Sequence, residues 1–401
     1  MKQLLTILLI VAVVGAASLA PAAVYYIGAG GNDANSGLDA DQQWLTIEKA
    51  METVAAGDTV WVKSDKTYTD QDDATGAIGE IITAGTAKAL ISFIGYNSTT
   101  GTVATGNGDG TFACVVLDCT SNSLTTCIVS TVGNECYSLS NFRFTGASDN
   151  CIPNGGMAMS RLYNCRFDNA GAVGLFGNSY GWIERCQFDN NTGVGVGSLS
   201  QCMVLDSVSF ANGGNGIGLS STASAFGCIA YDNAGYQIDG ASYSDTIKNC
   251  TVDGGGSSKG VRMYAYLGTV QNCIITSCTV GATGADAAQV FHNTSYNNLF
   301  FDNTTDRENW PVGLNDISAD PLFVDAANND YRLSSGSPAI SAGIDVGVID
   351  GITSTSYTDI GAMQAAQYIE RVLDLTNYTW LGPEIGGSSG GGWLIEGGLA
   401  Q

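Results

Sequence analysis

Proline is scarce, with six residues in 401, and histidine occurs once. Few prolines beside 53 glycines predict many tight turns and little helix. Basic residues are also few, 15 Lys and Arg against 38 Asp and Glu, for a formal charge of −23. A surface this acidic repels phosphate backbones, which excludes nucleic acid as an expected partner. An acidic glycan is repelled as well unless a divalent cation such as calcium bridges it. No Cys-x-x-Cys pair occurs among the twelve cysteines, which argues against zinc. His292 has no Ser or Cys partner at a recognisable spacing, which disfavours a nucleophilic triad. Charged residues make up only 13% of the chain and hydrophobic ones 44%, which excludes a disordered chain.

Long apolar runs are missing beyond the first residues. Lys2, the apolar stretch 4–17 and the small residues Ala20-Pro21-Ala22 read as a secretory signal over residues 1–22. The stretch is shorter than the roughly 20 residues a spanning helix needs. The expectation is therefore an exported protein, secreted or held at the cell surface, with no membrane insertion once the signal is removed.

What the chain does contain is a repeat. Leu139-Ser140-Asn141-Phe142-Arg143-Phe144 returns as Leu162-Tyr163-Asn164-Cys165-Arg166-Phe167 and Ile183-Glu184-Arg185-Cys186-Gln187-Phe188. Leu205-Asp206-Ser207-Val208-Ser209-Phe210 reads as a fourth copy, and weaker ones follow at 225–230, 247–252, 270–275 and 291–296. The turn position then falls at Asn141, Asn164, Arg185, Ser207, Gly227, Asn249, Asn272 and Asn293. A period near 22 with two-residue alternation predicts an all-β, right-handed parallel β-helix of three short strands per coil. In that register Cys165, Cys186, Val208, Cys228, Cys250 and Cys273 form one inward ladder, and Phe144, Phe167, Phe188 and Phe210 a second. Ladder cysteines act as small hydrophobes, and in-register stacking at about 4.8 Å exceeds disulfide reach, so these five are expected buried and reduced. Cys114, Cys119, Cys127, Cys136, Cys151, Cys202 and Cys278 lie off the ladder, and disulfides among them stay open.

The ends carry a resemblance. Tyr26 through Gly37, Trp44-Leu45-Thr46-Ile47, Ala50 and Gly57-Asp58-Thr59-Val60 resemble the N-terminal cap of pectate-lyase-like right-handed β-helix proteins of bacteria. Thr46 N-caps a short amphipathic helix there, carrying Ile47, Ala50, Met51 and Val54. Ala319-Asp320-Pro321-Leu322-Phe323-Val324-Asp325, Asp330-Tyr331-Arg332-Leu333, Gly336-Ser337-Pro338-Ala339-Ile340 and Asp359-Ile360-Gly361-Ala362 resemble the closing segment of the choice-of-anchor Q group. The resemblance implies one β-helix over residues 24–362 of an exported protein. The sequence departs from that group after residue 362, where 363–401 reads as a short helix and Gly-rich tail that is either loose or docks an attachment partner or sister subunit. It implies a fold without an activity, since this architecture carries lyases, hydrolases, epimerases and adhesive proteins.

The same resemblance places a substrate groove on the sheet spanning 173–177, 194–198, 217–220, 236–239 and 261–264. Alternation turns Phe176, Gly195, Gly197, Gly218, Ser220, Gln237, Asp239, Arg262 and Tyr264 outward. Phe176, Gln237 and Tyr264 are the expected substrate-binding residues, on a glycine floor. Lys259, Arg262 and Asp239 are the expected catalytic set: Lys259 or Arg262 takes a proton beside a uronate carboxylate, and Asp239 orients it or holds calcium. Asp168 and Asp189, on neighbouring coils, form a carboxylate pair that calcium would relieve, or they are ordinary turn residues. Glu184 and Asp206, one coil apart on another strip, match a glycosidase spacing or a solvated surface. The expected function is a β-helix protein that binds polysaccharide and, if it is an enzyme, acts on uronate glycans as a lyase or epimerase. The competing expectation is a non-catalytic surface, adhesin or fibre-like protein.

Overall fold

The structure is a computed structural model and describes residues 22–69, 76–96, 114–133, 135–153, 159–177, 179–242, 244–264, 267–284, 293–344 and 359–363. Residues 1–21 of the signal expected at 1–22, His292, and residues 364–401 of the tail expected at 363–401 lie outside the described residues.

Short strands alternate with bends so that the chain winds through three faces in turn. Among the described residues the first and second faces are parallel sheets of eleven strands each, and the third has seven. Each strand pairs with its equivalent one coil further on, as in Leu162 with Leu139 and Ile183. The result is a right-handed parallel β-helix.

Left-handed backbone angles make the first bend possible. Asn141, Asn164, Arg185, Asp206, Gly227, Asn249, Asn272 and Asn297 hold φ between 47° and 66°. Asparagine reaches this region at low cost, and its amide links coils, as Asn164 Nδ2 does by donating to Asn141 Oδ1 at 2.7 Å. Gly227 is required for a second reason: a Cβ there would lie 2.4 Å from Asp206 Oδ1.

Two turn positions differ from the sequence reading. Asp206, not Ser207, and Asn297, not Asn293, occupy the bend. The first difference shifts a whole coil by one residue. Ser207 continues the cysteine ladder next to Cys186, and Ser209 pairs with Phe188 in place of Phe210. Phe210 turns outward and stacks on Tyr231 at 4.9 Å, and Val208 leaves the core with it. Serine is tolerated inside because its hydroxyl is satisfied: Ser207 donates to the Leu205 carbonyl at 2.8 Å and accepts from Cys186 N–H at 3.0 Å.

Elsewhere the interior follows the expected ladders. Cys165, Cys186, Cys228, Cys250 and Cys273 are buried thiols. Phe144, Phe167 and Phe188 stack at 4.9 and 5.3 Å, and each such ring pair adds about 0.5–1.5 kcal/mol beyond burial. A third buried ladder is made of asparagine and was not among the expected ones. Asn191 N–H donates to Asn212 Oδ1, and Asn212 N–H to Asn233 Oδ1, at 3.1 and 3.2 Å. All three asparagines are fully enclosed at the second bend.

The ends are closed differently. Helix α1, Ile47–Thr53, is N-capped by Thr46, which accepts from Lys49 N–H, and it buries Ile47, Ala50 and Met51. Ile47 and Met51 pack over Gly79 in the neighbouring coil. At the far end the closing segment folds back over the second face. There Ala339 and Ile360 pack on Ile274 and Leu299, and Asn249 Nδ2 donates to the Asp359 carbonyl at 3.2 Å. Among the described residues, no helix is long and apolar enough to cross a membrane.

Candidate functional site

The third face is built by Leu175–Phe176, Val196–Ser200, Ile217–Ser220, Tyr236–Gly240 and Lys259–Met263, with two further strands beyond. Leu175, Val196, Ile217, Ile238 and Val261 stack inward as one ladder. Phe176 pairs outward with Gly197, while Gly218, Asp239, Arg262 and Thr283 continue an outward line on successive coils. A bulge between Val196 and Leu199, with Ser198 in the left-handed region, breaks the register beside Gly197.

Gly197 and Gly218 form a low floor. A Cβ added to Gly218 would lie 3.3 Å from the Gly197 Cα, so the two backbones pack closely on adjacent coils. Phe176 walls one end. At about 4.8 Å per coil, Asp239 is three steps away, or roughly 14 Å. Tyr264, 56% exposed, lies beyond Arg262 at the other end.

The charged end is tightly organised. Arg262 Nε and Nη2 each donate to one Asp239 oxygen at 2.7 Å, and Asn215 Nδ2 donates to Asp239 Oδ2 at 2.7 Å. The guanidinium lies 4.7 Å from the Tyr236 ring centre and 5.6 Å from that of Tyr264. Lys259 pairs in register with Tyr236 and carries its Nζ 5.2 Å from the same ring. Both cations are thus fixed over one aromatic surface. Hydrogen bonding to Asp239 raises the Arg262 pKa, against the opposing effect of burial. That disfavours Arg262 as a base, because its neutral form becomes rarer still. Among the described residues Lys259 makes no ion pair.

Other expected site residues are placed differently. Gln237 is fully buried, and its side chain ends the asparagine ladder: Oε1 accepts from Asn233 Nδ2 at 2.7 Å and Nε2 donates to Ser258 Oγ at 2.7 Å. It lines the interior, not the groove. The carboxylates of Asp168 and Asp189 are each gripped side-on by an arginine from the preceding coil, Arg143 and Arg166. The charge relief sought from calcium is supplied there by guanidinium groups, and no metal-ligating cluster of three or more residues occurs among the described residues. Leu205, not Asp206, stands beside Glu184, so the two-carboxylate strip is not formed.

No family model and no curated protein matches this sequence. Solved structures with the parallel β-helix fold do match. Pectate lyase Pel9A aligns with a TM-score of 0.54 at 15% identity, over 86% of this chain and 97% of that one. A rhamnogalacturonan lyase aligns with a TM-score of 0.55 at 12% identity, over 85% and 99%. At such identities the likeness establishes a shared fold.

Proposed function

We propose that this β-helix holds an acidic polysaccharide along its third face. Lys259 and Arg262 take a uronate carboxylate, and Phe176 and Tyr264 stack against sugar rings on either side of the Gly197–Gly218 floor. The observation that carries the reading is the pair of cations over Tyr236: Arg262 is paired with Asp239, while Lys259 makes no ion pair among the described residues of a chain of formal charge −23. An aromatic wall beside polar groups suits a sugar, whose ring faces are apolar and whose edge is hydroxylated. The names of the two aligned structures, lyases of pectate and rhamnogalacturonan, support a polysaccharide as the ligand class. The apolar stretch 4–17 supports a setting outside the cytoplasm.

A lyase step is the second reading. It rests on Lys259, whose ammonium no described carboxylate holds, as the group that takes the proton, with Arg262 fixed as a cation. Calcium would join by bridging the glycan, since Asp239 is already filled by Arg262 and Asn215.

The test is binding to polygalacturonate and to a neutral polymer, with and without calcium, while absorbance of new unsaturated chain ends is followed. The proposal expects preference for the acidic polymer and a tenfold or greater loss in Arg262→Ala, since hydrogen bonds to charged groups contribute about 1.5–3 kcal/mol. Equal binding of both polymers, or unchanged binding in a Lys259→Ala/Arg262→Ala double variant, would overturn it. Unsaturated ends that vanish in Lys259→Ala would establish the lyase reading.

A further inference from the structure

The twelve cysteines divide by what their sulfurs face. In the interior ladder each thiol turns back to its own strand: Cys165, Cys228, Cys250 and Cys273 lie 3.2–3.5 Å from the carbonyl two residues earlier. Cys119 and Cys127 behave differently. Their sulfurs are 3.1 Å apart, whereas the nearest carbonyls recorded for Cys127, those of Thr145 and Leu117, are at 3.8 and 3.9 Å. Non-bonded carbons rest at about 3.5–4.0 Å, and sulfur is the larger atom, so this is closer than ordinary contact.

The two residues are not in-register neighbours on adjacent coils. Cys119 follows the strand Val115–Asp118, and Cys127 precedes Ile128–Ser130, so they meet across a single turn. That turn is fixed at both ends: Leu124 N–H donates to the Cys119 carbonyl at 3.1 Å, and Cys127 N–H to that of Cys151 at 2.9 Å. The spacing that keeps ladder thiols apart therefore does not apply here.

We propose that Cys119 and Cys127 are the site of an intrachain disulfide, formed during folding by exchange with a small-molecule disulfide of the glutathione class. One cysteine thiolate attacks the small disulfide and releases one reduced thiol. The other attacks the mixed disulfide and releases the second, so the protein loses two hydrogens and two electrons and the oxidant gains them. Both sulfurs are fully enclosed, so exchange precedes closure of the turn. In a turn closed while still reduced, burial pushes the Cys127 thiol well above its ordinary pKa and keeps the thiolate rare, which is why exchange must come first. Cys151 is the alternative partner, but its sulfur faces the Phe144 carbonyl at 3.4 Å. The staple would hold the turn where the early coils meet the regular repeat, and it is independent of any glycan reading.

The test uses the full chain, refolded from denaturant in a glutathione redox buffer or with a phosphine reductant, then acid-quenched, denatured and alkylated. Oxidative refolding should protect two of the twelve thiols, leave the chain lighter by two hydrogens and yield one cross-linked peptide joining Cys119 to Cys127. The reductant should lower the folding equilibrium constant by roughly 50- to 100-fold, as closing so short a loop implies. Cys151→Ser should keep the cross-link and Cys119→Ser lose it. Twelve alkylated thiols after oxidative refolding, or a cross-link between Cys127 and Cys151, would overturn the assignment.

Discussion

Replacing Asn212 by alanine removes the centre of the buried asparagine ladder. Its Nδ2 donates to the Phe188 carbonyl at 3.0 Å, Ser209 Oγ at 3.1 Å and Asn233 Oδ1 at 2.8 Å. Its Oδ1 accepts from both the backbone N–H and the Nδ2 of Asn191, at 3.1 and 2.9 Å. The substitution leaves at least the Asn191 N–H and the Phe188 carbonyl without these partners in a dry interior. Each such group costs about 1–3 kcal/mol, so a loss of about 3–5 kcal/mol is expected after partial relaxation. The control is Asn190→Ala, at an exposed bend with φ 54°. The next coil already carries Ala211 at the equivalent place with φ 53°, so the control should cost only about 1 kcal/mol. Urea unfolding followed by far-ultraviolet circular dichroism measures both, and hydrogen exchange at the Asn191 amide localises the effect. A loss below about 1 kcal/mol for Asn212→Ala, or equal losses for the two variants, would refute the reasoning.

Three further outcomes follow from the same geometry. Phe188→Ala should destabilise by about 3–5 kcal/mol, and Phe210→Ala, facing outward, by much less; the reverse order in urea would mean the one-residue shift is misplaced. Asp189→Ala leaves the mostly enclosed Arg166 guanidinium with its longer ion pair to Asp168 at 3.4 Å and should cost up to about 3 kcal/mol, read as a lower thermal midpoint, whereas an unchanged midpoint would show the pair to be idle. Asp245 is raised to about 6, chiefly by burial, so the folded chain binds more protons than the unfolded one between the ordinary carboxylate range and that value. Its contribution to stability therefore increases as pH falls from 7 through 6 and is lost as pH rises; Asp245→Asn should flatten that part of the curve of midpoint against pH.

The repeat was legible because its bends favour asparagine and its strands alternate cleanly. In the copies at 139–144, 162–167 and 183–188 the inward strand positions are apolar or cysteine, and the structure follows the pattern. The coil at 203–210 was misread because apolar residues occur on both sides of its strands: Val204 faces in and Leu205 out, while Ser207 and Ser209 fill the core. Periodicity scores Leu205, Val208 and Phe210 as the inward set, and a slip of one residue reverses every side chain. Hydroxyl groups that find backbone partners are invisible to such a count. The Asn191, Asn212 and Asn233 spacing of 21 residues was present in the sequence, but asparagine beside the Asp-Asn pairs at 168–169 and 189–190 reads equally well as ordinary turn chemistry. Arg262 and Asp239 were readable as a pair from register alone. Their side-on geometry was not, nor was the burial of Gln237, whose amide is held by Asn233 and Ser258.

Every assignment of face and groove rests on equivalent positions advancing by one strand spacing per coil. Spin-label distances along the first face measure this directly, with nitroxides attached through introduced ketone residues so that native thiols stay unmodified. Position 161 is in line with 182, 203, 224, 246 and 269 on successive coils. Labels at Arg161 paired in turn with Ser224, Thr246 and Thr269 should give separations rising by about 4.8 Å each time. Separations that stay level or fall along that series would contradict the stacked coil and the site built on it.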